Sequence, residues 1–359
     1  MPGIEELAAA VQRNCDLADA VHAQDLSMCI YLLQMREFFR WERGLPLDRM
    51  PDRAEVGDWI ATREAHWQSL AGQADARFDA LPIGGGVDAF DEAAANARLA
   101  ARGLVYAAGL ASYRRPEFVL AERIESQTRE GASIVVTGRE HARGLNPPMA
   151  ATRGDQVLVR RDVLRRWLGT RLELTRQRPS AEGLCAAADA WQVGDDREAA
   201  LDRIAAAETE TLILHELGER RAAVQLGPQW ESMLGSLDDQ RSERVARAIR
   251  DLFADCDSTL PALLERNERA SIHFWFANLE GMRGLLAPEL RAGYLRWRGA
   301  AADSAGAAAV LADVVQAQRA HWLAQAHALL TAWREAAAPG VMAFSAALVA
   351  AARGESPPG

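Results

Sequence analysis

A mainly α-helical fold, a multi-helix bundle with a small β-hairpin insertion near 133–162, is predicted by three observations. Most of the 359 residues carry a 3.6-residue apolar rhythm filled by Ala and Leu; Gly and Pro mark its interruptions; and two short runs are β-branched and flanked by glycine. The helices begin with IEELAAAVQRNCDLADAVHA, DLSMCIYLLQMREFFRWERG and EVGDWIATREAHWQSLAGQ, with LPLDRMPD separating the last two. LPIGGGV at 81–87 is a break, and DAFDEAAANARLAARGLVYAAGL reads as one further helix. SIVVTG at 133–138 and DQVLVRRD at 155–162 form the hairpin, and the long loop between them, carrying Glu140, His141 and Arg143, is a candidate lid. Long helices fill 163–353, with breaks near Arg178–Pro179, Gly227–Pro228, Ser258–Pro261, Ala287–Pro288, Gly299–Ala308 and Pro339–Gly340. The expected organisation is an N-terminal helical region over 1–130, the hairpin over 131–162 and a C-terminal helical region over 163–353, forming one compact unit.

Composition removes several chemistries. A net charge of −9 and a pI near 5.4 argue against a general nucleic-acid partner. All 41 basic residues are arginine. Without lysine there is no Schiff-base aldolase, no lysine-linked pyridoxal phosphate, no P-loop nucleotide site and no kinase strand lysine. Cys15, Cys29, Cys185 and Cys256 form no CxxC, so a zinc ribbon or redox dithiol is not indicated. The acidic start MPGIEELAAA and the lack of about 18 uninterrupted apolar residues lead us to expect a cytoplasmic protein with no membrane partner.

The strongest candidate site is TLILHELGE at 211–219. His215 and Glu219 are four apart, hence neighbours on one helix face, and able to present imidazole and carboxylate to one metal ion. Glu208 lies on the same face about 10.5 Å earlier, suited to a second ion or a pocket wall; Glu216 points about 100° away, as a surface or supporting carboxylate. The motif is neither HExxH nor the ExxH of di-iron bundles. His273, in SIHFWFANLEGMRG at 271–284, is the expected third ligand, with Glu280 on its face and Arg283 paired to Glu280. In DLSMCIYLLQMREFFRWERG, Arg36 and Arg40 either join buried ion pairs or line a cavity for an anion.

MREFFRWE at 35–42, LVYAAGL at 104–110, PEFVLAE at 116–122 and FWFANLEGMR at 274–283 give the chain a resemblance to an uncharacterised bacterial family of mainly helical proteins. The resemblance implies no activity and adds no catalytic residue.

The residues lead to an expected metal-dependent enzyme holding non-haem iron or manganese at His215, Glu219 and His273. It would act on a small apolar or aromatic substrate, oxidatively rather than hydrolytically. Two alternatives stay open: a non-catalytic helical binding or scaffold protein, and a cofactor-free enzyme with an arginine-lined pocket for an anionic substrate.

Overall fold

The computed structural model describes residues 3–71, 77–110, 115–177, 182–194, 196–300 and 305–355. The fold is mainly α, and the chain divides into two compact units: residues 1–170 with 196–205, and residues 171–195 with 206–359. The breaks expected at Arg178–Pro179 and within 301–304, and the end of the GESPPG tail, lie outside the described residues.

The first unit contains helices α1 (Ile4–His22), α2 (Met28–Glu42), α3 (Arg53–Ala71) and α4 (Glu92–Leu99). Its strands are β1 (Leu104–Leu110), β2 (Pro116–Arg129), β3 (Ala132–Arg143), β4 (Ala150–Arg153) and β5 (Gln156–Arg160). They form one sheet in the order β1-β2-β3-β5-β4, antiparallel throughout except for the parallel β3–β5 pair. The hairpin insertion is therefore a five-stranded mixed sheet, and two strands lie within the region 1–130 that reads as helical. Gly103 explains the difference at β1. It closes the helical stretch with φ 66°, a left-handed conformation glycine adopts at no steric cost, so LVYAAGL leaves as a strand. The first five residues of that strand are buried and hide the period-2 signal. The long loop is also shorter than expected, because Glu140, His141 and Arg143 belong to β3 and not to a lid.

One face of the sheet packs Tyr106, Phe118 and Leu120 with Leu7, Val11 and Cys15 of α1. The outer edge of β1 is closed by side chains of α4. Asn96 donates to the Tyr106 carbonyl (2.7 Å) and accepts from its N–H (2.9 Å), and Glu92 accepts from the Ala108 N–H (3.3 Å).

The second unit draws on α5 (Arg161–Gln177), α6 (Glu182–Ala190), α7 (Arg197–Leu226), α8 (Pro228–Gly235) and α9 (Gln240–Ala254). It continues with α10 (Leu260–Glu265), α11 (Arg269–Ala277), α12 (Gly281–Leu286), α13 (Pro288–Gly299) and α14 (Ala305–Arg353). The unit boundaries fall within α5 and α7. Asp239 caps α9 by accepting from the Arg241 and Ser242 N–H groups, and the stripe Val245, Ile249, Leu252 joins a core with Trp230, Phe253, Trp322 and Leu329. Within α14 the helix breaks at Ala336 and Ala337, just ahead of Pro339, whose ring disfavours helical backbone before it. By length and composition Ala308–Arg353 is apolar enough to cross a membrane, although no run of 18 uninterrupted apolar residues occurs in it.

Candidate metal centre

The site is built in the second unit from α7 and the end of α9. On α7, His215 and Glu219 stand one turn apart, with imidazole Nε2 3.3 Å from a Glu219 oxygen. From α9 comes Asp251. One ligand atom each of His215, Glu219 and Asp251 can be chosen so that all lie within 4.8 Å of one another, and the three side chains are about one-fifth exposed. After Ala254 the helix widens into a single π-helical turn, Asp255–Thr259, a distortion that recurs at functional sites. This turn brings the fully buried Asp255 to His215, and its carboxylate accepts from Nδ1 at 2.8 Å, from Thr259 Oγ1 at 2.9 Å and from Arg283 Nη1 at 3.1 Å.

Close approach makes this possible. Gly218 faces the π turn, and a Cβ at that position would lie 2.7 Å from the Ala254 carbonyl oxygen and 2.9 Å from Ser258 Cβ. The Ser258 hydroxyl ties the turn down by donating to the Leu214 carbonyl at 2.8 Å. Glycine in LHELGE thus has a packing reason that outweighs its low helix propensity.

The electrostatics follow from the contacts. Burial opposes charge on His215, yet Asp255 and then Glu219 overcome it and hold the imidazole well above its usual range. Burial likewise works against the Glu219 and Asp255 carboxylates, but His215 with Arg250 holds Glu219 low, and His215 with Arg283 holds Asp255 low. Asp251 goes the other way: burial and the nearby Glu219 raise it to about 6 against the pull of Arg250. Arg250 donates to both Glu219 (2.7 Å) and Asp251 (3.2 Å), so the cluster is charge-compensated as it stands.

Of the residues singled out in sequence, His215 and Glu219 meet, while His273 is outside their cluster and Asp251 stands in the third place. The reason is local. His273 Nδ1 pairs with the Tyr294 hydroxyl at 2.8 Å, and its ring packs on Tyr294 and Trp297, so burial and then Arg269 and Arg298 lower it to about 4 and keep it neutral. Glu280 does not follow His273 on one helix, because α11 stops at Ala277. It pairs with Arg171 at 2.7 Å, leaving Arg283 to Asp255 rather than to Glu280. Glu216 is buried instead of at the surface. Arg36 and Arg40 belong to the first unit and take the ion-pair role: both contact Glu37, and Arg40 also donates to the Arg49 carbonyl at 2.7 Å.

Glu208 is fully buried, with one oxygen taken by Ser271 Oγ of α11 at 2.6 Å and no hydrogen-bond partner for the other among the described residues. Burial, opposed by Ser271 and assisted by Glu268, raises its carboxyl from 4.5 to about 7. Between those values the folded protein keeps a proton that the unfolded chain has lost, so stability falls as pH rises through the window. Glu208→Gln removes that slope: relative to the parent it gains on the order of 2 kcal/mol between pH 5 and pH 8, measured by urea unfolding at both pH values. Equal slopes in both proteins would contradict a protonated Glu208.

A mainly α protein with a mixed sheet in its first unit and a His–carboxylate cluster in its second is the class defined so far. The chain belongs to the family of unknown function DUF6866: residues 6–160 match its N-terminal domain and residues 165–350 its C-terminal domain. No curated protein and no solved structure matches the chain.

Proposed function

We propose that His215, Glu219 and Asp251 hold a divalent iron or manganese ion and that the protein is a metal-dependent enzyme acting on a small substrate. The observation that carries this reading is the convergence of three ligand atoms within 4.8 Å, with Asp255 holding the His215 ring through Nδ1 so that Nε2 is the nitrogen that ligates when metal binding releases its proton. Donors bound to one ion at about 2.1 Å are separated by roughly 3–4 Å, so only small side-chain adjustments are required. One imidazole and two carboxylates, with no thiolate, suit iron or manganese, and that choice favours oxidative over hydrolytic chemistry. In this reading the second unit works as a multi-helix bundle with the ligands on α7 and α9, and its Trp- and Phe-rich core favours an apolar or aromatic substrate. The acidic charge supports a small-molecule rather than a nucleic-acid partner. Free cysteines support a cytoplasmic setting, and the burial of Leu311, Val315, Trp322 and Leu329 supports a core role for α14.

Arg250 favours a second reading, an ion-pair network that only stabilises the unit, since it already occupies both carboxylates. Elemental analysis of untagged protein separates the two. The metal reading expects about one iron or manganese per chain in the parent, loss in His215→Ala and Asp251→Asn, and tighter retention in Arg250→Gln, which removes the competing cation. Protein without stoichiometric metal, or metal indifferent to His215, would leave the stabilising network as the function of these residues.

A further inference from the structure

We infer that the first unit binds a small zwitterion of the amino-acid class in a cavity bounded by α1, the end of α2, β3 and the start of α5. The cavity has a volume of about 630 Å³, within the range of small-molecule sites, and its lining includes Gln12, Trp41, Glu140, His141, Asp162 and Arg166. None of these residues belongs to the His215 cluster.

Beneath the cavity lies a buried charge network with unmet groups of both signs. Glu140 has no exposed side-chain surface; its Oε1 accepts from Arg160 Nε at 2.6 Å, and Arg160 reaches on to Glu117 at 2.6 Å. Glu140 Oε2 has no donor among the described residues, and the Arg143 Nη1 beside it stands 3.7 Å away, too far for a hydrogen bond. Among the described residues that Nη1 has no acceptor, and Arg166, bonded through Nε to Asp162 at 2.8 Å, has a buried Nη1 with none either. Buried polar groups are almost always satisfied, and each left unmet costs roughly 1–3 kcal/mol, more when charged. Here a carboxylate oxygen of Glu140 and a guanidinium nitrogen of Arg166, both lining residues, share that condition with a nitrogen of the adjoining Arg143.

The charge pattern selects the ligand. Glu42, Glu140 and Asp162 line the cavity together with Arg139 and Arg166, so a plain anion faces three carboxylates and a plain cation faces two arginines. A molecule carrying ammonium and carboxylate side by side answers both: its ammonium serves Glu140 Oε2, and its carboxylate serves the Arg143 and Arg166 donors. Trp41 contributes its edge, because Phe38 stacks on its ring at 5.3 Å and the Arg143 guanidinium lies 5.6 Å from its centroid.

The test is a thermal-shift and calorimetric titration of the full-length protein with the L-α-amino acids, using acetate and methylammonium as single-charge controls. At least one amino acid should raise the melting temperature and give a saturable isotherm, with neither control doing so. Arg166→Gln and Glu140→Gln should each weaken binding at least tenfold, and His215→Ala should leave it unchanged, separating this site from the proposed metal centre. Arg166 is partly exposed, so its variant reports even where Glu140→Gln fails to fold. No binding by any amino acid, equal binding of acetate alone, or affinity retained in Arg166→Gln would overturn the proposal.

Discussion

Asp255→Ala is expected to destabilise the second unit by about 3–5 kcal/mol, read as a fall in the urea midpoint at unchanged m-value. Asp255 is fully buried and receives hydrogen bonds from His215, Thr259 and Arg283. Removing it strands an imidazolium and a guanidinium that it had compensated, and an uncompensated buried charge is costlier than a lost contact. A double-mutant cycle with His215→Ala isolates the pair, since the second substitution should then cost much less than it does alone. A loss below about 1 kcal/mol would mean that water reaches these groups and that the network is peripheral.

The second large effect comes from a single methyl group. Gly218→Ala should improve helix propensity by about 1 kcal/mol, yet the new Cβ meets the Ala254 carbonyl oxygen at 2.7 Å, and backbone cannot swing aside as a flexible side chain would. We expect a net loss of about 3 kcal/mol by thermal unfolding. The accommodation has to come from separating α7 from the π turn, which carries Asp255 away from His215. The imidazole NMR signals of His215 should therefore move toward those of the Asp255→Ala variant. If Gly218→Ala stabilises the protein, as propensity alone predicts, the helices are not in close contact there.

What the sequence reveals and conceals follows from the range of the interactions involved. His215 and Glu219 are legible because a helix puts residues four apart side by side without help from the rest of the fold. Asp251 and Asp255 come from another helix, and no local period links them to His215. A signal did exist: Val245, Ile249 and Leu252 set an apolar stripe on α9, and Asp255 occupies the next position of that stripe, where a carboxylate has to find a partner. The Ser271–Glu208 hydrogen bond brings α11 against the α7 face two turns before His215, while His273 turns to Tyr294 instead. The helices follow their rhythm, and the long Ala-rich segment breaks near Pro339 as its proline requires. Strands β1 and β2 escape notice because burial on both faces erases alternation in the first, and bulges between Leu120 and Glu125 disrupt the second.

The seal that α4 places on β1 governs how this chain behaves among its own copies. LVYAAGL is uncharged and mostly apolar, and an uncharged strand left open at a sheet edge templates intermolecular pairing. Asn96 and Glu92 occupy the backbone groups that a neighbouring strand would seek, so two side chains act as a sixth strand that cannot propagate. Cover for that edge thereby depends on an eight-residue helix staying folded, and fraying of α4 would open it to a neighbouring strand.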